Sequence, residues 1–180
     1  FVRDKADGGV YIIDPKREIK ISLREGGWLY LTMPRVYHQM VSRECLERIY
    51  KRVNTYFPGP SPDMANSVCV CLESKKTVYL NDYLIISGYG YKSATGQGNR
   101  GEHFGNLKEK AWLPDNILEI WNPEIPAIFS AETIWAQSLT QALKEYGAID
   151  YLNVFSYSSL YASFIKNHIS AKNQFFAFCN

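Results

Sequence analysis

The sequence predicts an α/β fold with a helical C-terminal region, and three observations lead to this prediction. Short runs of β-branched and aromatic residues alternate with amphipathic helical patterns through the first half of the 180 residues. Capping residues, twice followed by proline, mark where the helices begin. From Ser130 onward the apolar spacing is helical. We therefore expect two parts, residues 1–128 and a helical extension at 129–180.

The first elements lie between residues 10 and 41. Val10–Ile13 is a predicted strand, and the Asp-Pro pair behind it opens a helix that ends near Glu25 at two glycines. Trp28–Thr32 and Val36–Val41 have the β-branched and aromatic content of short strands.

The next two helices carry clear start signals. Ser42 caps a helix whose apolar residues repeat at helical spacing, and Ser61-Pro62 is a cap followed by a first-turn proline. Thr77–Leu80 and Tyr83–Ser87 then form a predicted strand pair around an Asn-Asp turn.

The rest of the chain is a long loop followed by helices. The segment 88–105 is rich in glycine and serine, and a loop of this length is typically functional or disordered. Ser130 caps a helix that Gly147 ends, and a last helix is predicted around Leu160 and Phe164.

Composition excludes some classes of function. The 20 basic and 18 acidic residues leave a net charge of +2 without a Lys/Arg run of five, so we expect no nucleic-acid partner. The 13 tyrosines suit a cleft that holds sugars, although most tyrosines of any protein are simply half buried.

The cysteines and the apolar runs bear on location. Cys69 and Cys71 form C-x-C without a second pair at zinc spacing, and Cys45 and Cys69 lie on apolar helix faces. Cys45 and Cys69 are therefore predicted to be buried, reduced thiols. The N-terminus is polar, and no apolar run approaches the ~20 residues of a membrane span. We expect a cytoplasmic protein, and this expectation includes a position at the inner face of the membrane.

Asp63 is the candidate catalytic residue. It lies in the first turn of a helix, directly after a rigid Pro-Gly-Pro loop. A carboxylate held in this way can take a proton from an attacking hydroxyl group. The simpler explanation is that the acid stabilises the helix through its dipole, by ~0.3–1 kcal/mol.

Two further groups could carry chemistry. Backbone N–H groups of the glycine-rich loop could hold phosphates, with Lys92, Ser93 and Arg100 adding charge and hydrogen bonds, although no phosphate-binding motif is matched. His103 in the same loop could ligate a metal, or it could simply face solvent.

The order of these segments resembles the family-2-like GT-A glycosyltransferases of bacteria. Leu31–Arg48 is similar to a segment in which a proline precedes Tyr-His and a V-x-R-x-x-L-x-R helix follows. Tyr56–Asp63 resembles the F-x-x-x-S-P-D element, Tyr79–Gly88 resembles Y-L-x-x-P-L-x-I-x-G with Tyr83 at its proline, and Gly90–Ser93 resembles G-x-[KH]-S. Weaker similarity extends from about Gly9 to Gly147.

The resemblance implies a partial GT-A (Rossmann-like, doubly wound) sheet and transfer of a sugar from a nucleotide-diphosphate sugar to a glycan or other hydroxyl acceptor. It implies a divalent metal, Mn²⁺ or Mg²⁺, in the full-length enzyme. Asp63 would be the base. The residues expected to bind donor or acceptor are Tyr37, His38, Tyr91, Lys92, Ser93 and Arg100, and His103 is the candidate metal ligand.

One feature departs from the family. GT-A enzymes carry an Asp-x-Asp metal motif upstream, and this sequence has none. Because the chain also begins at Phe1, we expect the acceptor-side, C-terminal half of such a domain, with weak or no donor and metal binding of its own.

Two alternatives are open. One is a non-catalytic module that binds a glycan or a protein through its tyrosines. The other is a nuclease that uses His38, His103 and Lys92, for which the near-neutral charge is unfavourable.

Overall fold

Short helices surround one buried helix in the computed structural model of the chain. The structure describes residues 6–37, 39–85, 88, 90–100, 103–169 and 176. In chain order its elements are β1 (Val10–Ile13), α1 (Pro15–Arg24), α2 (Arg43–Val53), α3 (Pro62–Glu73), β2 (Thr77–Leu80), α4 (Ala94–Asn99), β3 (Gly105–Asn106), α5 (Ile117–Ile120), β4 (Ile128–Phe129), α6 (Ala131–Tyr146) and α7 (Tyr157–Asn167). Two 3-10 helices cover Leu107–Glu109 and Ile149–Val154.

Local capping chemistry sets the helix boundaries, as the sequence predicts. The Asp14 carboxylate accepts hydrogen bonds at the start of α1, and the Ser42 hydroxyl accepts one from the Cys45 N–H at 3.3 Å. Ser130 and Thr133 form a reciprocal capping box at α6. Gly147 ends α6 in the left-handed region, with φ of 81°. The predicted starts of all three helices are confirmed.

Helix α3 is the centre of the main core. Its residues 64–71 are all buried, which is expected for a helix that is apolar on most sides. Helices α1, α2 and α6 pack around it. Cys45, Cys69 and Cys71 are free thiols inside this core, so the prediction that Cys45 and Cys69 are buried, unpaired thiols is confirmed. Helix α6 shares the core although it follows the predicted boundary at residue 128.

The strands form two antiparallel pairs. β1 pairs with β2 from Val10 opposite Leu80 to Ile13 opposite Thr77, and β3 pairs with β4. The mixed α/β class is therefore confirmed. Within the residues described, each sheet has two strands, and a doubly wound sheet is not among them.

Four predicted elements differ from the structure. Trp28–Thr32 and the described part of Val36–Val41 form turns and irregular segments instead of strands. In the first of them, Leu31 adopts a left-handed φ of 50° that interrupts an extended segment. Residues 83–85 are irregular, and the partner of β2 among the described residues is β1, while Ile86 and Ser87 lie outside those residues. The predicted glycine-rich loop contains helix α4.

The described helices are short. Among the described helices, none combines the necessary length with sufficient apolar character.

Candidate functional site

Asp63 lies in the first turn of α3 with its carboxylate only partly buried. Its Oδ1 atom accepts hydrogen bonds from the Ser61 hydroxyl at 2.5 Å and from the Met64 N–H at 3.0 Å. Both bonds end on the same oxygen. These two bonds fix the carboxylate at the start of the helix.

The loop before Asp63 is anchored to helix α6. The Ser61 N–H donates to the Ser138 hydroxyl at 2.8 Å, and that hydroxyl donates to the Ile134 carbonyl at 2.6 Å. Gly59 lies so close to α6 that a Cβ there would approach the Ser138 Cα to 3.1 Å. Two prolines and these contacts restrain the loop that precedes Asp63.

Asn66 is a site residue that the sequence did not single out. It is fully buried on α3, its Oδ1 accepts from the Val36 N–H at 3.2 Å, and its Nδ2 donates to the Tyr56 carbonyl at 3.1 Å. One side chain therefore joins the segment before Tyr37 to the segment before Asp63. The available signal was an asparagine inside the apolar run of α3, because an amide on a buried helix face requires hydrogen-bond partners.

Tyr30 and Arg35 also approach the start of α3. The Arg35 guanidinium lies 4.5 Å from the centre of the Tyr30 ring, and the Trp135 ring lies 4.7 Å from it. Burial, followed by the negative charge of Asp63, raises the pKa of the Tyr30 phenol well above its usual range. Its hydroxyl is buried, and no described side chain meets it in good hydrogen-bond geometry.

The predicted acceptor residues lie on the segment that Asn66 holds. Tyr37 follows Val36 directly and is 47% exposed, so its ring is open to a ligand. His38 lies outside the described residues. Tyr37 thus stays a predicted acceptor contact, joined to Asp63 through Asn66 and Val36.

The residues of the glycine-rich loop hold the loop itself together. The Ser93 hydroxyl accepts from the Gly96 N–H at the start of α4 and donates to the Gly90 carbonyl at 2.8 Å. The Arg100 guanidinium lies 3.8 Å from the Tyr91 ring centre and donates to the Tyr91 carbonyl at 2.9 Å. Lys92 is exposed. These contacts shape the segment, and the role of the four residues in donor binding stays a prediction.

His103 lies among aromatic rings. It stacks on Trp112 with centroids 5.6 Å apart and meets the edge of Phe129 at 4.7 Å, and its Nδ1 is buried without a partner. Burial, and then the charge of Lys110, lowers the pKa of the imidazole. In the described ranges, no group of three or more His, Cys, Asp or Glu side chains is arranged to hold a metal ion. The described residues by themselves therefore do not form a metal centre.

The third histidine and a surface cleft on α6 lie away from Asp63. His168 follows α7, and its Nε2 is 3.0 Å from the buried Glu132 carboxylate. A cleft of about 140 Å³ opens on α6, lined by none of the predicted site residues. Its lining consists of Ile120, Gln137, Thr140, Gln141, Lys144 and Glu145.

The chain was compared with known proteins in three ways. No protein-family model, no curated protein and no solved structure matches it significantly.

Proposed function

We propose that this chain is the acceptor-side part of a GT-A glycosyltransferase in which Asp63 is the general base. The observation that carries the proposal is the position of Asp63, a partly exposed carboxylate in the first turn of a buried helix, behind a loop anchored to α6. The ordered motifs around Tyr37, Asp63 and Gly90–Ser93 supply the family.

In the proposed reaction, the Asp63 carboxylate accepts the proton of the acceptor hydroxyl. The acceptor hydroxyl loses its proton to the carboxylate while its oxygen forms a bond to the anomeric carbon of the sugar. The bond from that carbon to the nucleotide diphosphate breaks, and the diphosphate leaves with the bonding electrons. Attack opposite the leaving group inverts the anomeric centre. The Ser61 and Met64 contacts keep the carboxylate in place, so orientation and proton transfer both contribute.

In the proposed enzyme, the β1–β2 pair is part of a larger, doubly wound sheet. The β1–β2 pair exposes apolar side chains unusually strongly, with Val10 67% and Ile12 76% accessible. A two-stranded pair is marginal by itself, and exposed apolar strands with open edges are suited to further pairing. In this proposal, the nucleotide-sugar donor and the metal bind to the part of the domain that supplies the additional strands.

A transfer assay tests the proposal. The protein encoded by the full-length gene is incubated with Mn²⁺ or Mg²⁺, a panel of nucleotide-diphosphate sugars and candidate hydroxyl acceptors. Release of nucleotide diphosphate that depends on acceptor, with an inverted linkage in the product, is the expected result. Absence of release with every donor would contradict it.

One observation favours a second function, binding of a glycan without catalysis. Tyr50, Tyr56 and Phe57 are 45%, 38% and 41% exposed and form a continuous group, with ring centroids 5.0 and 6.4 Å apart. Exposed aromatic rings are suited to stacking on sugar faces. Binding on a glycan array without nucleotide, together with no transfer, would favour this function.

A further inference from the structure

Tyr50, Tyr56 and Phe57 form an exposed aromatic group whose rings do not share one plane. The Tyr50 and Tyr56 rings are tilted by 40°, and the Tyr56 and Phe57 rings by 69°. Each of the three residues keeps more than a third of its surface exposed. A pyranose ring is nearly flat and stacks on one aromatic ring at a time. A sugar ligand that contacts the whole group must therefore contain several linked rings.

Hydrogen-bonding groups border this aromatic group. Within the described residues, the Tyr50 and Tyr56 hydroxyls have no hydrogen-bond partner, so both are available to a ligand. Arg43 and Glu47 lie on the same side of α2 as Tyr50, at positions i, i+4 and i+7, and their ion pair of 2.8 Å is exposed. Ring faces next to such donors and acceptors match the apolar C–H face and the hydroxyl rim of a pyranose. The central part of a protein-binding surface is instead depleted of charged residues, so a glycan is the favoured ligand.

The aromatic group is attached to the helix that carries Asp63. Asn66 follows Asp63 by three positions on α3, so their Cβ atoms lie about 5–6 Å apart. The Asn66 Nδ2 donates to the Tyr56 carbonyl at 3.1 Å. The Tyr56 carbonyl is therefore within roughly 11 Å of the Asp63 Cβ. A few linked sugar rings span such a distance.

We propose that the acceptor is a linear glycan whose terminal hydroxyl lies at Asp63 and whose inner units stack on Tyr50, Tyr56 and Phe57. This inference rests on the proposed function, since it takes Asp63 as the base that receives the acceptor. The aromatic rings bind the glycan and do not touch the reacting atoms. Binding energy of this kind acts equally on the ground state and the transition state, so it lowers the acceptor KM and leaves kcat unchanged.

The test measures transfer by the full-length protein to cello-, chito- and malto-oligosaccharides, from monosaccharide to hexasaccharide. The KM should fall as the acceptor grows while kcat stays constant. Tyr50→Ala should raise the KM of the preferred hexasaccharide about three- to tenfold and leave that of the monosaccharide unchanged. Alanine is the best helix former, so this exposed position of α2 tolerates it. Tyr50→Phe keeps the ring and should keep most of the affinity. Tyr83→Ala is the matched control, because Tyr83 is 77% exposed and lies outside the aromatic group.

Three results would overturn the inference while leaving the proposed function intact. They are a KM that does not depend on acceptor length, an equal effect of Tyr50→Ala on every length, and transfer to protein side chains alone. A readout without activity comes from NMR of ¹³C-labelled tyrosine rings in the full-length protein. The Tyr50 and Tyr56 signals should shift with a hexasaccharide and not with a monosaccharide. Such shifts without any transfer would sink the proposed function and leave the aromatic group as a glycan-binding site.

Discussion

Replacing Asn66 with alanine should loosen the site and destabilise the fold together. The side chain makes hydrogen bonds of 3.2 Å with the Val36 N–H and 3.1 Å with the Tyr56 carbonyl, and it is fully buried. Each lost bond removes about 0.5–1.5 kcal/mol, and a buried partner left unpaired adds about 1–3 kcal/mol. Tyr56 is exposed and water can satisfy its carbonyl, so the penalty for an unpaired group falls mainly on Val36.

Two lost bonds and one unpaired group give a loss of about 2–6 kcal/mol in the free energy of unfolding. This is a large fraction of the ~5–15 kcal/mol that a domain typically has. For a chain of this size it lowers the Tm by roughly 4–24 °C. The segment before Tyr37 should also become more sensitive to proteolysis, because its tether to α3 is gone.

Urea denaturation and a thermal scan measure the effect, with Asn116→Ala as the matched control. Asn116 is exposed and its side chain does not cap α5, so its replacement should cost less than about 0.5 kcal/mol. If Asn66→Ala also stays within about 0.5 kcal/mol of the wild type, Asn66 does not hold the two segments together and the description of the site is wrong.

Three further predictions concern charge, thiols and backbone. Burial alone would raise the pKa of Glu73, but hydrogen bonds from Tyr146 and Arg48 and the charge of Arg48 hold that pKa below 4.5. A carboxylate with a lowered pKa stabilises the fold at pH values above its pKa in the unfolded chain, so the stabilisation by Glu73 should be lost as the pH falls below about 4.5. Glu73→Gln should therefore show a flatter acid-unfolding curve than the wild-type protein. Burial raises the pKa of the Cys69 thiol to about 12 and raises that of Cys71 as well. In a Cys179→Ser variant, a thiol reagent at pH 8 should therefore label the protein only as it unfolds. Rapid labelling of the native protein would contradict the buried core. Gly26→Ala should lower the Tm strongly, because φ is 87° and the new Cβ would lie 2.5 Å from the Leu160 backbone nitrogen; an unchanged Tm would show that α1 and α7 do not meet in this way.

The helices could be predicted from the sequence because their signals are local. Ser42, Ser130 and Gly147 act within a few residues of themselves, so the pattern of side chains is sufficient to locate each helix end. Strand pairing depends on a distant partner. β2 pairs with β1, which precedes it by more than sixty residues. The residue types of the Tyr83–Ser87 run do not reveal that β2 pairs with this distant strand instead.

The candidate site divides in the same way. Asp63 could be placed at a helix start from Ser61-Pro62 alone, and the structure has it there. The neighbours that define its surroundings, Tyr30 and Asn66, come from tertiary packing. Tyr30 precedes Asp63 by more than thirty residues, and Leu31 turns the chain directly behind it, where strand propensity predicts an extended segment.

Asp63→Asn in the full-length protein tests the central claim most directly, with Glu44→Gln as its control. Glu44 is also an acidic residue in the first turn of a helix, so it reproduces the interaction with the helix dipole without a place in the site. The measurement is the single-turnover rate of sugar transfer at saturating acceptor. General-base catalysis predicts a loss of about 100-fold or more for Asp63→Asn and an unchanged rate for Glu44→Gln. Equal rates for Asp63→Asn and the wild-type protein would leave Asp63 as a helix-stabilising residue and contradict its assignment as the base.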